Sequence, residues 1–259
     1  MVNILVTIKQ CVDVDSVRPD RSTGLIALQN SQKKFNDFDK NALEEAIRIR
    51  EKVGGKVTVL SVGEPTVKEV LKEALSIGAD EAFYVSDPAV KEFDSRAVAL
   101  VVSRFYRKAG PFDLILMGDG SVDHYSMQVG PRVAELLGLP DVTYVRKLEM
   151  KGSSVLVERD FEDGYYVTEV RLPAVITVAQ EINQPRLPTL RSILSASKRE
   201  IKLVPLGDLT TTAAELMPVV KIVETHAPKV ERRKTMIDAT NAEQAAVELV
   251  RSLQKEGVI

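Results

Sequence analysis

Between residues 56 and 137 the chain alternates three times between a short branched-aliphatic run and a longer stretch of helical period. That alternation limits the fold more than any other feature. Residues 56–62 have strand length and end at Gly63, and the apolar spacing over 67–77 predicts a helix stopped by Gly78. Residues 81–85 form a second strand, followed by a helix over 95–108. The third strand, Leu114-Ile115-Leu116-Met117, is bounded by Pro111 and by Gly118-Asp119-Gly120. Val129, Val133, Leu136 and Leu137 then recur at helical spacing, closed by Gly138 and Pro140. Strands linked through helices of this length require right-handed crossovers and a parallel sheet. The fold class is therefore α/β, a doubly wound parallel sheet. Residues 2–8, branched and hardly alternating, supply one more strand covered on both faces.

The texture changes after Pro140. Residues 142–149, 154–160 and 165–172 are β-rich and separated by turn-forming Lys151-Gly152 and Glu162-Asp163-Gly164. They predict a small antiparallel insert at one edge, with 174–178 returning to the main sheet. Pro185 and Pro188 precede a short segment, 190–197, and Lys198-Arg199-Glu200 reads as a solvated charge cluster. From Leu206 the chain carries Thr210-Thr211-Thr212, two prolines and the basic run Arg232-Arg233-Lys234, then an amphipathic helix over 242–255. The expected division is a nucleotide-binding α/β domain over 1–205 and an extended C-terminal arm over 206–259. The helix presents Ala246, Val247, Val250 and Leu253 on one face and cannot bury that face unaided.

Strand, glycine-bearing turn and helix start is the arrangement by which open α/β sheets offer backbone N–H groups to a phosphate. Ser121, Ser126 and Gln128 add hydrogen-bonding side chains there; the plain alternative is an ordinary capped connection. The polar stretch 9–30 reads as a long loop at the first strand's carboxyl end, on the same edge. Asn36 and Asp39 stand where helix caps stand. The net charge of −2 gives no electrostatic reason to expect nucleic acid or an anionic membrane as partner. One cysteine, Cys11, allows no internal disulfide and reads as packed, and the two histidines, His124 and His226, have no metal-ligand spacing. No nucleophile elbow or Walker loop is present. The opening MVNILVTIKQ reads as a strand and not a signal peptide, so a cytoplasmic protein is expected.

Six segments carry a closer likeness: ILVTIKQ, FNDFDKNALEEAIRIRE, LSIGADEAFYV, MGDGSVDHYSMQVGPRVAELLGLPDVTYV, VERDFEDGYYVTEVRLPAVITV and NQPRLPTLRSILSASKREI. In this order they resemble the β subunit of electron transfer flavoproteins over essentially the whole chain, the fifth matching that family's signature region. The resemblance implies an adenine nucleotide alpha hydrolase-like fold and a heterodimer with an α subunit that holds the redox-active FAD. It implies an AMP, or a second FAD, in this subunit. Electrons would come from acyl-CoA-type dehydrogenases and leave for a quinone-linked oxidoreductase or another acceptor, so the chain would be an electron carrier subunit and not itself an enzyme. By position, the resemblance implies a pocket at Thr7, at Asn36, Asp37, Phe38 and Asp39, and at Val62. It continues through Ser121, Val122, Asp123, His124, Tyr125, Ser126, Met127, Gln128, Val129, Gly130, Pro131 and Arg132, with 123–130 facing the phosphate. It also implies that Leu190 inserts into the partner dehydrogenase.

FAD-binding, bifurcating relatives that oxidise NADH carry glycine and a second acid where this chain has His124 and Tyr125, which favours AMP. Gln-Val-Gly-Pro and Val-Thr-Tyr-Val look like the bifurcating branch, and Asp119 stands where a basic residue is common. A second FAD is the alternative. Outside the class, a non-redox nucleotide-binding stress or signalling domain would need neither the β insert nor the arm.

Overall fold

A computed structural model describes residues 1–26, 28, 31–209, 213–228 and 234–259. Strand β1 (Val2–Thr7) leads to a short antiparallel pair, β2 (Gln10–Val12) and β3 (Lys33–Phe35). Then come α1 (Asp37–Val53), β4 (Gly55–Val62), α2 (Lys68–Ile77), β5 (Glu81–Val85), α3 (Ser95–Ala109), β6 (Leu114–Gly118) and α4 (Val129–Leu137). Strands β7 (Asp141–Lys151), β8 (Ser154–Phe161) and β9 (Gly164–Arg171) form an antiparallel meander. The described chain closes with β10 (Ala174–Val178), α5 (Leu190–Ala196), β11 (Ile201–Leu203) and α6 (Ala242–Lys255).

Among the described residues, nine strands form one sheet in the order β11-β5-β4-β1-β6-β10-β7-β8-β9. It is parallel from β11 to β7 and antiparallel from β7 to β9. The doubly wound class is borne out, with the predicted antiparallel strands at one edge. The central strands are buried on both faces, which is why they lack alternation. Ile4 and Val6 pack with Leu43 of α1 and Leu71 of α2, whereas Leu5 packs with Val101 of α3 and Val133 of α4. Each such side chain, fully buried, contributes about 1.5–3 kcal/mol.

The structure differs from the sequence reading in three places. The loop expected over 9–30 begins with β2, which pairs with β3; three residues are too few for a period to show. Strand β11 follows the charge cluster and extends the sheet beside β5. The segment after Leu206, read as loosely tethered, first packs on α3. Leu209 and Leu216 are buried there, Lys108 pairs with Asp208, and Arg104 pairs with Glu215, each pair at 2.7 Å. Beyond Leu216 no described residue is buried. Helix α6 is capped by Asn241, which accepts from the Gln244 N–H, and buries none of its side chains. Thr210-Thr211-Thr212, Arg232 and Arg233 lie outside the described residues.

Candidate functional site

From β1 the chain lays β4 and β5 to one side, then crosses through α3 to place β6 on the other. Connections that diverge in this way leave a crevice beyond the carboxyl ends of the two central strands. A cavity of about 260 Å³ fills that crevice. Thr7, Leu60, Val62 and Met117 line it from the strands; Ser95, Val98 and Val102 line it from α3, and Val129 and Gly130 from α4. Its lining mixes these apolar side chains with polar groups such as Lys9, Asn36, Asp94 and Ser121, the usual character of a small-molecule site.

Two residues expected to act as helix caps tie the strand ends together instead. Asn36 makes no cap with its side chain. Its amide donates to the Gly120 carbonyl at 2.8 Å and accepts from the Val122 N–H at 3.2 Å, which pins the loop after β6. Asp39 accepts from the Lys9 N–H at 2.8 Å and the Gly118 N–H at 3.1 Å, spanning the ends of β1 and β6. Burial pushes its carboxyl up to about 7, against the pull of those N–H groups. The fit is tight: a Cβ on Gly118 would lie 2.5 Å from the Asp39 Oδ1.

Helix α4 starts without a side-chain cap. The Gln128 side chain turns sideways, accepting from the Ser95 hydroxyl at 2.7 Å and from Arg132 at 3.2 Å. Val129 and Gly130 therefore keep first-turn N–H groups at the cavity wall, where the helix dipole favours an anion. Gly130 also lets α4 sit on the sheet, since a Cβ there would lie 2.3 Å from Thr177 Cγ2. Tyr125 and Met127 hold left-handed backbones, at φ 45° and 54°, so the loop keeps an uncommon shape.

Of the sequence-expected residues, the structure gathers Thr7, Asn36, Asp39, Val62, Ser121, His124, Ser126, Met127, Gln128, Val129 and Gly130 around the cavity. Asp37, Phe38, Val122, Asp123, Tyr125, Pro131 and Arg132 lie off its wall. Asp123 turns to Lys9 and to the Val12 N–H. Burial works to raise its pKa, but Lys9 and the donors beside it prevail and hold it low. Tyr125 turns outward onto Phe38, with ring centroids 5.5 Å apart, and its hydroxyl lies 3.5 Å from that of Tyr144. That contact, with some burial, pushes its phenol up to about 12. Arg132 is exposed on α4. Leu190 is the 74% exposed first residue of α5, beside exposed Leu187, Ile193 and Leu194. Cys11 is buried, its thiol pushed up to about 12 by burial and then by the charge of Asp123, so it is packed and protonated.

Sequence reasoning missed Lys9, Phe93, Asp94 and Ser95, all on the cavity wall. Asp94 caps α3 through the Ala97 N–H at 2.9 Å. Its place on the cavity wall follows from the crossover that returns α3 to the sheet. Among the described residues no group of acids, histidines or cysteines could hold a metal ion, and no helix is long and apolar enough to cross a membrane.

A cavity at the switch point of a doubly wound sheet, bordered by a helix start without a side-chain cap, is where open α/β proteins place their ligands. Residues 23–209 match the family model of the electron transfer flavoprotein domain. The chain is 42% identical to an electron transfer flavoprotein subunit beta of Thermoanaerobacterium thermosaccharolyticum, the alignment covering 99% of this chain and 100% of that one. It is 35% identical to the subunit beta of Clostridium acetobutylicum, over 99% and 100% of the two chains. It is 33% identical to the caffeyl-CoA reductase-Etf complex subunit CarD of Acetobacterium woodii, over 99% of each. The chain belongs to the electron transfer flavoprotein β-subunit family.

Proposed function

We propose that this chain is the β half of a heterodimer whose α subunit holds a redox-active FAD, and that its own cavity holds one AMP. The observation that carries the nucleotide reading is the start of α4, without a side-chain cap, on the wall of a partly apolar cavity. The cavity offers walls for a flat base, and Val129 and Gly130 offer N–H groups to a phosphate. At about 260 Å³ its volume falls just below the common range of about 300–1,000 Å³ for small-molecule pockets, which suits a mononucleotide better than a dinucleotide. The AMP is structural: it joins the ends of β1, β4 and β6 to α3 and α4.

When bound to the α subunit, FAD supplies the electron-carrying chemistry. The β chain contributes the base on which the α subunit sits, the docking segment at α5 and the arm that holds the partner. Electrons arrive from an acyl-CoA-type dehydrogenase that engages Leu190, and leave for a quinone-linked oxidoreductase or another acceptor, in the cytoplasm. Exposure of Leu190 between Pro188 and the rest of α5 supports the docking role, because an anchored leucine on a short rigid helix loses little entropy on binding. Co-expression with the cognate α chain tests the reading. The expected product is a yellow one-to-one complex whose flavin is reduced by a substrate-loaded acyl-CoA dehydrogenase. A colourless chain that binds no second subunit would overturn it.

A further inference from the structure

Carboxyl groups outnumber cations around the cavity, even though burial raises Asp39. Three carboxyl side chains, Asp39, Asp94 and Asp119, line it among the described residues, against one lysine, Lys9. The acids already have donors. Asp39 takes the Lys9 and Gly118 N–H groups, and Asp94 takes those of Ala97 and Val219. One oxygen of Asp119 takes the Tyr144 N–H and the Thr177 hydroxyl. A phosphate entering here meets acids on several sides, and the helix dipole offers only about half a charge in return. A cationic side chain beside it would offset those acids.

Lys9 is held ready for that role. Its ammonium donates to Asp123 Oδ1 at 2.6 Å and to Ser121 Oγ at 3.1 Å. Asp123 is fixed in turn, its second oxygen accepting from the Val12 N–H at 3.2 Å and its first from Ser121 at 2.7 Å. An ammonium has three donors, and two are engaged. The side chain stays 40% exposed, so the third donor is free to meet a ligand. His124 beside it is biased toward the neutral form, by burial first and then by the charge of Lys9, and so does not compete as a cation.

We propose that Lys9 is the residue that recognises the anionic part of the ligand, presenting its third N–H to a phosphate oxygen while Asp123 and Ser121 hold it in place. The proposal rests on the nucleotide reading above and names the side chain through which a phosphate is told from a bare nucleoside. Asp123 thus acts on the ligand through Lys9, a positioning residue set back from the cavity wall.

The test measures exchange of bound nucleotide in the intact heterodimer against radiolabelled AMP and, separately, radiolabelled adenosine. Lys9→Gln keeps a donor for Asp123 and Ser121 but removes the charge. It should weaken AMP about tenfold or more, the usual worth of a charge-assisted hydrogen bond, and leave adenosine unchanged. Lys9→Arg should restore most of the AMP affinity. Equal losses for AMP and adenosine, or no loss of either, would overturn the role of Lys9 while leaving the nucleotide reading intact. A wild-type complex that takes up neither ligand would overturn the nucleotide reading itself.

Discussion

The cavity and the tail of this chain use similar residues to opposite ends. Around the cavity nearly every polar side chain has a partner within the chain: Asn36 holds the loop, Asp39 holds two strand ends, and Gln128 links α3 to α4. Past Leu216 the apolar side chains stand in solvent. Val219, Val220, Ile222 and Val223 are exposed, and so are Val247, Leu249 and Val250 of α6. A chain that satisfies itself so fully in one half and so little in the other is one subunit of something larger. On the function proposed above, the body holds the ligand and the tail holds the partner.

Breaking that comparison should show most strongly in the body. Gly130→Val drives a side chain into Thr177, and overpacking of this kind costs about 1–3 kcal/mol or more. Ile115→Ala empties a fully buried site between two layers and should cost about 2–5 kcal/mol in urea unfolding. An unfolding midpoint unchanged by either substitution would contradict the packing described here.

The tail should behave in the opposite way. Removing residues 235–259 should leave the urea midpoint of the body within about 0.5 kcal/mol, because α6 buries nothing against it. The same deletion should release free β subunit on a sizing column. Full retention of the α subunit with unchanged affinity would show that the arm serves another end.

Leu190→Ala sharpens the contrast within one residue. Its side chain is exposed, so stability should move by less than about 0.5 kcal/mol while electron transfer from the dehydrogenase slows. A large fall in stability with normal transfer would return Leu190 to the core.

The smallest effect concerns pH. Burial and the charge of Lys9 hold His124 below its ordinary value of 6.5, so the folded state binds its proton less readily than the unfolded one. The stability this gives is fully present above 6.5 and is lost as pH falls through the folded value. His124→Gln should flatten that acid-side loss in thermal melts; an unaltered slope would place its source elsewhere.

Much of this was legible in the sequence because the parallel body obeys local rules. Branched runs ending at Gly63 and Gly118 marked β4 and β6, and the stop at Gly138 marked the end of α4. The glycine-bearing turn after β6 and the polar loop after β1 both pointed to the sheet edge where the cavity lies, though an ordinary capped connection fitted that turn as well. What stayed hidden depends on distant groups meeting. Asn36 and Asp39 look like caps until β6 is placed beside β1. Lys9 looks like an ordinary strand-end lysine until Asp123, far along the chain, closes on it. Strands β2 and β11 were too short to carry a period, and the packing of Leu209 and Leu216 on α3 leaves no local mark.

On the function proposed above, the cavity between β1 and β6 belongs to an adenine mononucleotide. The most direct measurement is to denature the purified heterodimer and quantify the nucleotides released by chromatography. The expected result is AMP and FAD in about equal amounts, one of each per heterodimer. Two FAD per heterodimer and no AMP would contradict it and identify the cavity as a second flavin site.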